Sequence, residues 1–149
     1  MNCLVTKVFV DLTKVFVNNS RMASKPPRPT EAELTILQVL WENGPHSVRD
    51  IQHILNETKP TGYTTVLKML QIMTEKGHVE RDENQRPQVY RARYSQEQTQ
   101  KQLLRDLLQR AFGGSVKTLV LQALSTKRST PAELEAIEEL LDRMEGEEK

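Results

Sequence analysis

At Gly77 the spacing of apolar residues changes from a helical period to one of roughly two, after three short helical patterns in a row. The first pattern opens at Thr30 and Glu33, a T-x-x-E capping box, and carries Leu34, Leu37, Val39, Leu40 and Trp41 until Gly44-Pro45 stops it. In the second, Ser47 and Asp50 cap a helix with the stripe Val48, Ile51, Ile54 and Leu55, which ends at the turn Thr58–Gly62. The third starts near Tyr63 and directs Val66, Leu67, Leu70 and Met73 inward, and Trp41 is assigned to the same core. Beyond Gly77, residues 78–81 and 88–94 read as two strands joined by the polar turn 82–87. Three helices followed by a hairpin predict a winged helix over residues 30–95.

Residues 96–149 return to helical spacing. One stripe holds Leu103, Leu104, Leu107, Leu108 and Ala111 and ends at Gly113-Gly114. A second, capped by Ser115, holds Val116, Leu119, Val120, Ala123 and Leu124. The third begins at Thr130-Pro131-Ala132-Glu133 and holds Leu134, Ile137, Leu140, Leu141 and Met144. About 50 residues are too few to cover these stripes from within. A second copy of the chain is the simplest cover, so Leu103, Leu107, Val116, Leu119, Val120, Leu134, Ile137 and Leu141 are assigned to a homodimer interface. The expected fold class is mainly α with a small β-hairpin: a winged helix-turn-helix domain followed by a C-terminal helical dimerisation region.

Residues 1–29 differ from the rest. Thr6-Lys7-Val8-Phe9-Val10 recurs as Thr13-Lys14-Val15-Phe16-Val17, before a stretch containing Pro26, Pro27 and Pro29. Asp11 and Lys14 interrupt any secretory apolar core, and one short duplication is no solenoid. The segment is expected to be a disordered arm. A second reading makes Met22 the start and residues 1–21 translated leader DNA carrying two tandem operators.

Composition removes several classes. No apolar run approaches the ~20 residues of a membrane span, and the mean hydropathy is −0.58, so no membrane insertion and a cytoplasmic location are expected. The single cysteine, Cys3, excludes an internal disulfide and a Cys-based zinc site, and neither cofactor nor metal is expected. The overall net charge of +1 is uninformative, but its distribution is not. Residues 58–94 hold seven basic side chains against four acidic ones, while residues 95–149 hold eight against ten. The third helix and the hairpin are thus where phosphates would be met.

The first turn of the third helix, Tyr63-Thr64-Thr65 with Lys68 one turn on, is the end that a helix-turn-helix points into the major groove. Threonine hydroxyls can meet base edges or phosphates, and their methyls can touch thymine. Alternatively, Thr64 and Thr65 serve only as helix caps. Arg86 stands at the wing tip, where a charge reaches phosphate or a minor groove. These five residues are the candidate contacts to double-stranded operator DNA.

On these residues the chain resembles the penicillinase-repressor (BlaI/MecI/CopY) family, from about Thr30 to Met144. The resemblance is carried by Glu31-Ala32-Glu33-Leu34 with Val39-Leu40-Trp41, by Tyr63–Leu67, by Glu75-Lys76-Gly77 and by Gly113–Leu121. It implies a homodimeric repressor that binds inverted-repeat operators. In the β-lactam branch it also implies release when a membrane metallopeptidase sensor cuts an Asn-Phe bond after the Leu-Val-Leu run. Here that position reads Gln122-Ala123, and the Cys-rich tail of the copper branch is absent.

Two other classes compete. His46, Asp50 and His53 could hold zinc as an enzyme site, although His46 precedes the helix and no fourth ligand follows; solvated helix-end histidines are the simpler reading. A small-molecule-sensing winged helix needs an aromatic-lined pocket near the domain junction, where only Tyr94 and Phe112 are available. A winged helix that binds protein would not need positive charge concentrated on residues 58–94. No enzymatic activity is expected.

Overall fold

The computed structural model describes residues 27–147, so the repeat of residues 6–17 and the reading of Met22 as a start lie outside the described residues. In chain order the elements are α1 (Glu31–Asn43), β1 (His46–Ser47), α2 (Val48–Asn56), α3 (Tyr63–Lys76), β2 (Val79–Asp82), β3 (Val89–Ala92), α4 (Gln96–Ala111), α5 (Val116–Thr126) and α6 (Pro131–Glu147). Among the described residues, six helices and one three-stranded antiparallel sheet make a mainly helical fold with a winged helix, the expected class. The chain separates into two compact units between Gln96 and Glu97.

In the first unit, local chemistry sets each helix boundary. Thr30 and Glu33 exchange hydrogen bonds in a reciprocal capping box at the start of α1, and Ser47 and Asp50 do the same for α2. Gly44 closes α1 with φ +83°, and its N–H donates to the Leu40 carbonyl. Gly77 closes α3 in the left-handed conformation, while His78 N–H donates back to the Met73 carbonyl at 2.8 Å. That is a Schellman ending, and an L side chain at Gly77 would be strained there.

Twelve hydrophobic residues are buried among those described, with Ile51, Val66, Leu70 and Met73 fully enclosed. Leu34, Trp41, Ile54 and Leu67 pack around them half-buried. Trp41 is therefore a boundary residue rather than a buried one, because its indole N–H donates to the Tyr94 carbonyl at 2.9 Å.

The sheet departs from a simple hairpin. Its strand order is β1-β3-β2, with Ser47 paired to Val89 and Arg81 to Tyr90. A two-residue strand offers no alternation to read, so β1 is invisible to periodicity and exists through its partner. The hairpin strands also depart from the expected bounds, β2 being shifted by one residue to Val79–Asp82 and β3 shortened at both ends to Val89–Ala92.

In the second unit, Ser115 caps α5 by accepting from Thr118 N–H at 3.2 Å. Thr130 and Glu133 form a reciprocal box at the start of α6. Neither α5 nor α6 contains a buried residue. Among the described residues, no helix is long and apolar enough to cross a membrane.

Candidate nucleic-acid interface

The turn before α3 is held from α2. Asn56 Oδ1 accepts the Thr61 N–H at 2.7 Å, and Gln52 Nε2 donates to the Thr61 carbonyl at 3.1 Å. These bonds fix where α3 begins, with Gly62 at its cap position and no side chain capping it. Hydrogen bonding within α3 begins at Val66 N–H to the Gly62 carbonyl, so the N–H groups of Tyr63, Thr64 and Thr65 have no intrahelical acceptor. Tyr63, Thr64, Thr65 and Lys68 are all exposed, while Val66 and Leu70 behind them are buried. The alternative role for the two threonines, as caps, is thus unused. Gln52 and Asn56 escape sequence reasoning because a helical Gln and Asn carry no motif that marks them as turn anchors.

The wing is organised by Asp82, whose carboxylate accepts the Asn84 N–H at 2.9 Å and the Gln85 amide at 3.1 Å. Arg86 lies exposed beyond this turn, without a hydrogen bond or ion pair among the described residues.

Four of the seven basic side chains in residues 58–94 are ion-paired. Lys76 meets the buried Glu33 at 2.6 Å, Arg81 pairs with Glu83, and Arg91 meets Glu80 at 2.7 Å. Arg93 lies 3.9 Å from Glu80 and over the Tyr94 ring. Lys59, Lys68 and Arg86 are exposed and have no such partner among the described residues. Among the described residues, the positive charge counted along the sequence therefore resolves into three unpaired cations: one in the α2–α3 turn, one on α3 and one on the wing.

Glu33 is at once cap residue and counter-ion. Burial pushes its pKa up, but the Lys76 ammonium and the Thr30 hydrogen bonds more than offset this and hold it below its ordinary value. His78 is buried, its Nε2 has no hydrogen-bond partner among the described residues, and burial lowers its pKa.

His46, Asp50 and His53 line a shallow depression with Pro45, Arg49, Ile54 and Val89. The Asp50 carboxylate is committed to the Ser47 hydroxyl and N–H, which lower its pKa, and His46 Nδ1 lies 2.9 Å from the Gly44 carbonyl. Among the described residues, no three His, Cys, Asp or Glu side chains are placed to share a metal ion.

The assigned interface residues of the second unit divide by exposure. Leu107, Val116, Val120, Leu134 and Leu141 are exposed, whereas Leu103, Leu119 and Ile137 are half-buried.

The model of a family described as penicillinase repressor matches residues 29–143, well over half of the chain. No curated protein matches. A solved structure of reduced AbfR bound to DNA is 17% identical, covers 100% of both chains and has a TM-score of 0.39.

Proposed function

The chain belongs to the penicillinase repressor family and is a DNA-binding transcriptional repressor, and from that premise we propose that it works as a homodimer on inverted-repeat operators. Each protomer presents Tyr63, Thr64, Thr65 and Lys68 to one major groove, with Arg86 on the wing against the flanking backbone. The uncapped, outward first turn of α3 carries this reading. Three free N–H groups and four exposed donor side chains stand on a helix whose opposite face is the core. Helix N-terminal N–H groups favour phosphate, and the hydroxyls and ammonium beside them supply contacts to base edges.

Dimerisation through α4, α5 and α6 is supported by the apolar side chains exposed on these helices among the described residues. Residues Leu103, Leu107, Val116, Leu119, Val120, Leu134, Ile137 and Leu141 form the clasp. Two-fold symmetry then sets the half-sites about one helical turn, ~10–10.5 bp, or a multiple apart. Repression is relieved by separating the protomers; a membrane metallopeptidase sensor is the partner that the family resemblance offers for this step, but Gln122-Ala123 stands here in place of the Asn-Phe bond such a sensor cuts. It acts in the cytoplasm, where the operators are.

Sedimentation and a salt titration test the proposal together, using duplex DNA from upstream of the gene. The expected result is a dimer at micromolar concentration whose affinity falls steeply with added salt, by a slope near −0.9 per phosphate contacted. A strictly monomeric chain, or one that ignores this duplex at low salt, overturns it.

A further inference from the structure

We infer that α3 reads DNA beyond its first turn, with Gln71 recognising an adenine and Ile72 touching the methyl group of a thymine. This rests on the reading of α3 as the recognition helix. Among the described residues of the first unit, the exposed large hydrophobics are Tyr63 and Ile72, both on α3. Ile72 is 38% exposed although fully enclosed Leu70 and Met73 flank it in sequence. Gln71 is exposed, and its side chain makes no hydrogen bond among the described residues.

Geometry links these residues to the first turn. Thr64, Lys68 and Gln71 follow one another at i, i+4 and i+7, so they line one face of the helix, opposite Val66, Leu70 and Met73. At about 1.5 Å per residue, Gln71 lies about 10 Å along the axis from Thr64, or about three base-pair steps. The next residue on this face is Glu75, whose charge phosphates would repel, so the reading surface ends there. A glutamine amide can donate to adenine N7 and accept from its N6 amino group, and an aliphatic side chain fits the thymine C5-methyl. One short A·T step offers both features on its major-groove edge.

The test selects bound duplexes from a pool with about 20 randomised base pairs, using the full-length chain. Wild type, Gln71→Ala, Ile72→Ala and Thr64→Ala are compared, with melting curves confirming that each exposed variant folds. Wild type is expected to select an A·T pair about three base pairs from the position whose preference Thr64→Ala relaxes. Gln71→Ala should flatten the adenine preference there by about five- to hundred-fold, and Ile72→Ala should weaken the adjoining thymine preference. If Thr64→Ala alters the selected motif while neither Gln71→Ala nor Ile72→Ala does, the inference fails and the placement of α3 survives. If no variant alters the motif, or wild type selects none, the placement of α3 fails as well.

Discussion

Among the described residues up to Gln96, twelve hydrophobic side chains are buried around Ile51, Val66 and Leu70; among those from Glu97 onward, ten large ones are exposed, from 36% for Leu124 to 59% for Val116. Both regions show the same 3.6-residue apolar spacing and the same N-cap chemistry. The difference teaches that periodicity marks an apolar face needing cover without naming the cover. In the first unit α1, α2, α3 and the sheet supply it for one another. In the second, the described residues leave the stripes exposed, and a second copy is the cover proposed above.

The largest expected effect comes from breaking that cover. Leu119→Asp on α5 should separate the dimer in sedimentation and weaken operator binding about 10²- to 10⁴-fold through lost avidity. The melting of the first unit, followed by the fluorescence of Trp41, the single tryptophan, should stay unchanged. A dimeric variant with wild-type affinity would place the clasp elsewhere.

A core truncation does the reverse. Leu70→Ala removes a fully enclosed side chain and should cost the first unit about 2–5 kcal/mol in the same Trp41 readout. The monomer–dimer constant measured below the new melting point should not move, and a shift would mean that the two units are not independent.

Smaller effects are expected at the surface. Lys68→Ala should cost about 1–3 kcal/mol of operator affinity and relax specificity at one base pair. Arg86→Ala should instead weaken binding to all sequences alike and reduce the salt slope by about 1. If the double variant Lys68→Ala, Thr64→Ala binds as tightly as wild type, α3 has been misplaced.

The smallest effect separates pH regimes. The lowered pKa of Glu33 means that its pair with Lys76 contributes stability above the ordinary glutamate value of about 4.3, and this is lost as pH falls through the lower folded value. His78, buried and held neutral, favours the fold above the ordinary histidine value of about 6.5, and its contribution declines below it. Glu33→Gln should therefore melt earlier than wild type at pH 7, by about 1–2 kcal/mol. Melting curves at pH 7, 5 and 3 should show this gap closing only at the acid end, where wild-type Glu33 also becomes neutral. A gap that stays constant to pH 3 would remove Glu33 from the acid response.

What the sequence by itself determined is what rests on neighbours three or four positions apart. The boxes Thr30–Glu33, Ser47–Asp50 and Thr130–Glu133, the stop at Gly77 and the stripes were legible because helix caps and helix faces are local bargains of hydrogen bonding and side-chain direction. The outward Tyr63, Thr64, Thr65 and Lys68 were legible for the same reason, as the face opposite the stripe of α3. Only the tertiary structure decided the partners that lie far apart in the chain. It made a strand of His46-Ser47 by bringing Val89 and Tyr90 beside it, and it turned the Trp41 indole toward the Tyr94 carbonyl. It also paired Lys76 with Glu33 and Arg91 with Glu80, leaving Lys59, Lys68 and Arg86 without an ion pair among the described residues. A cation's availability depends on which carboxylate the fold brings within a few ångströms, and residue spacing along the chain does not carry that distance.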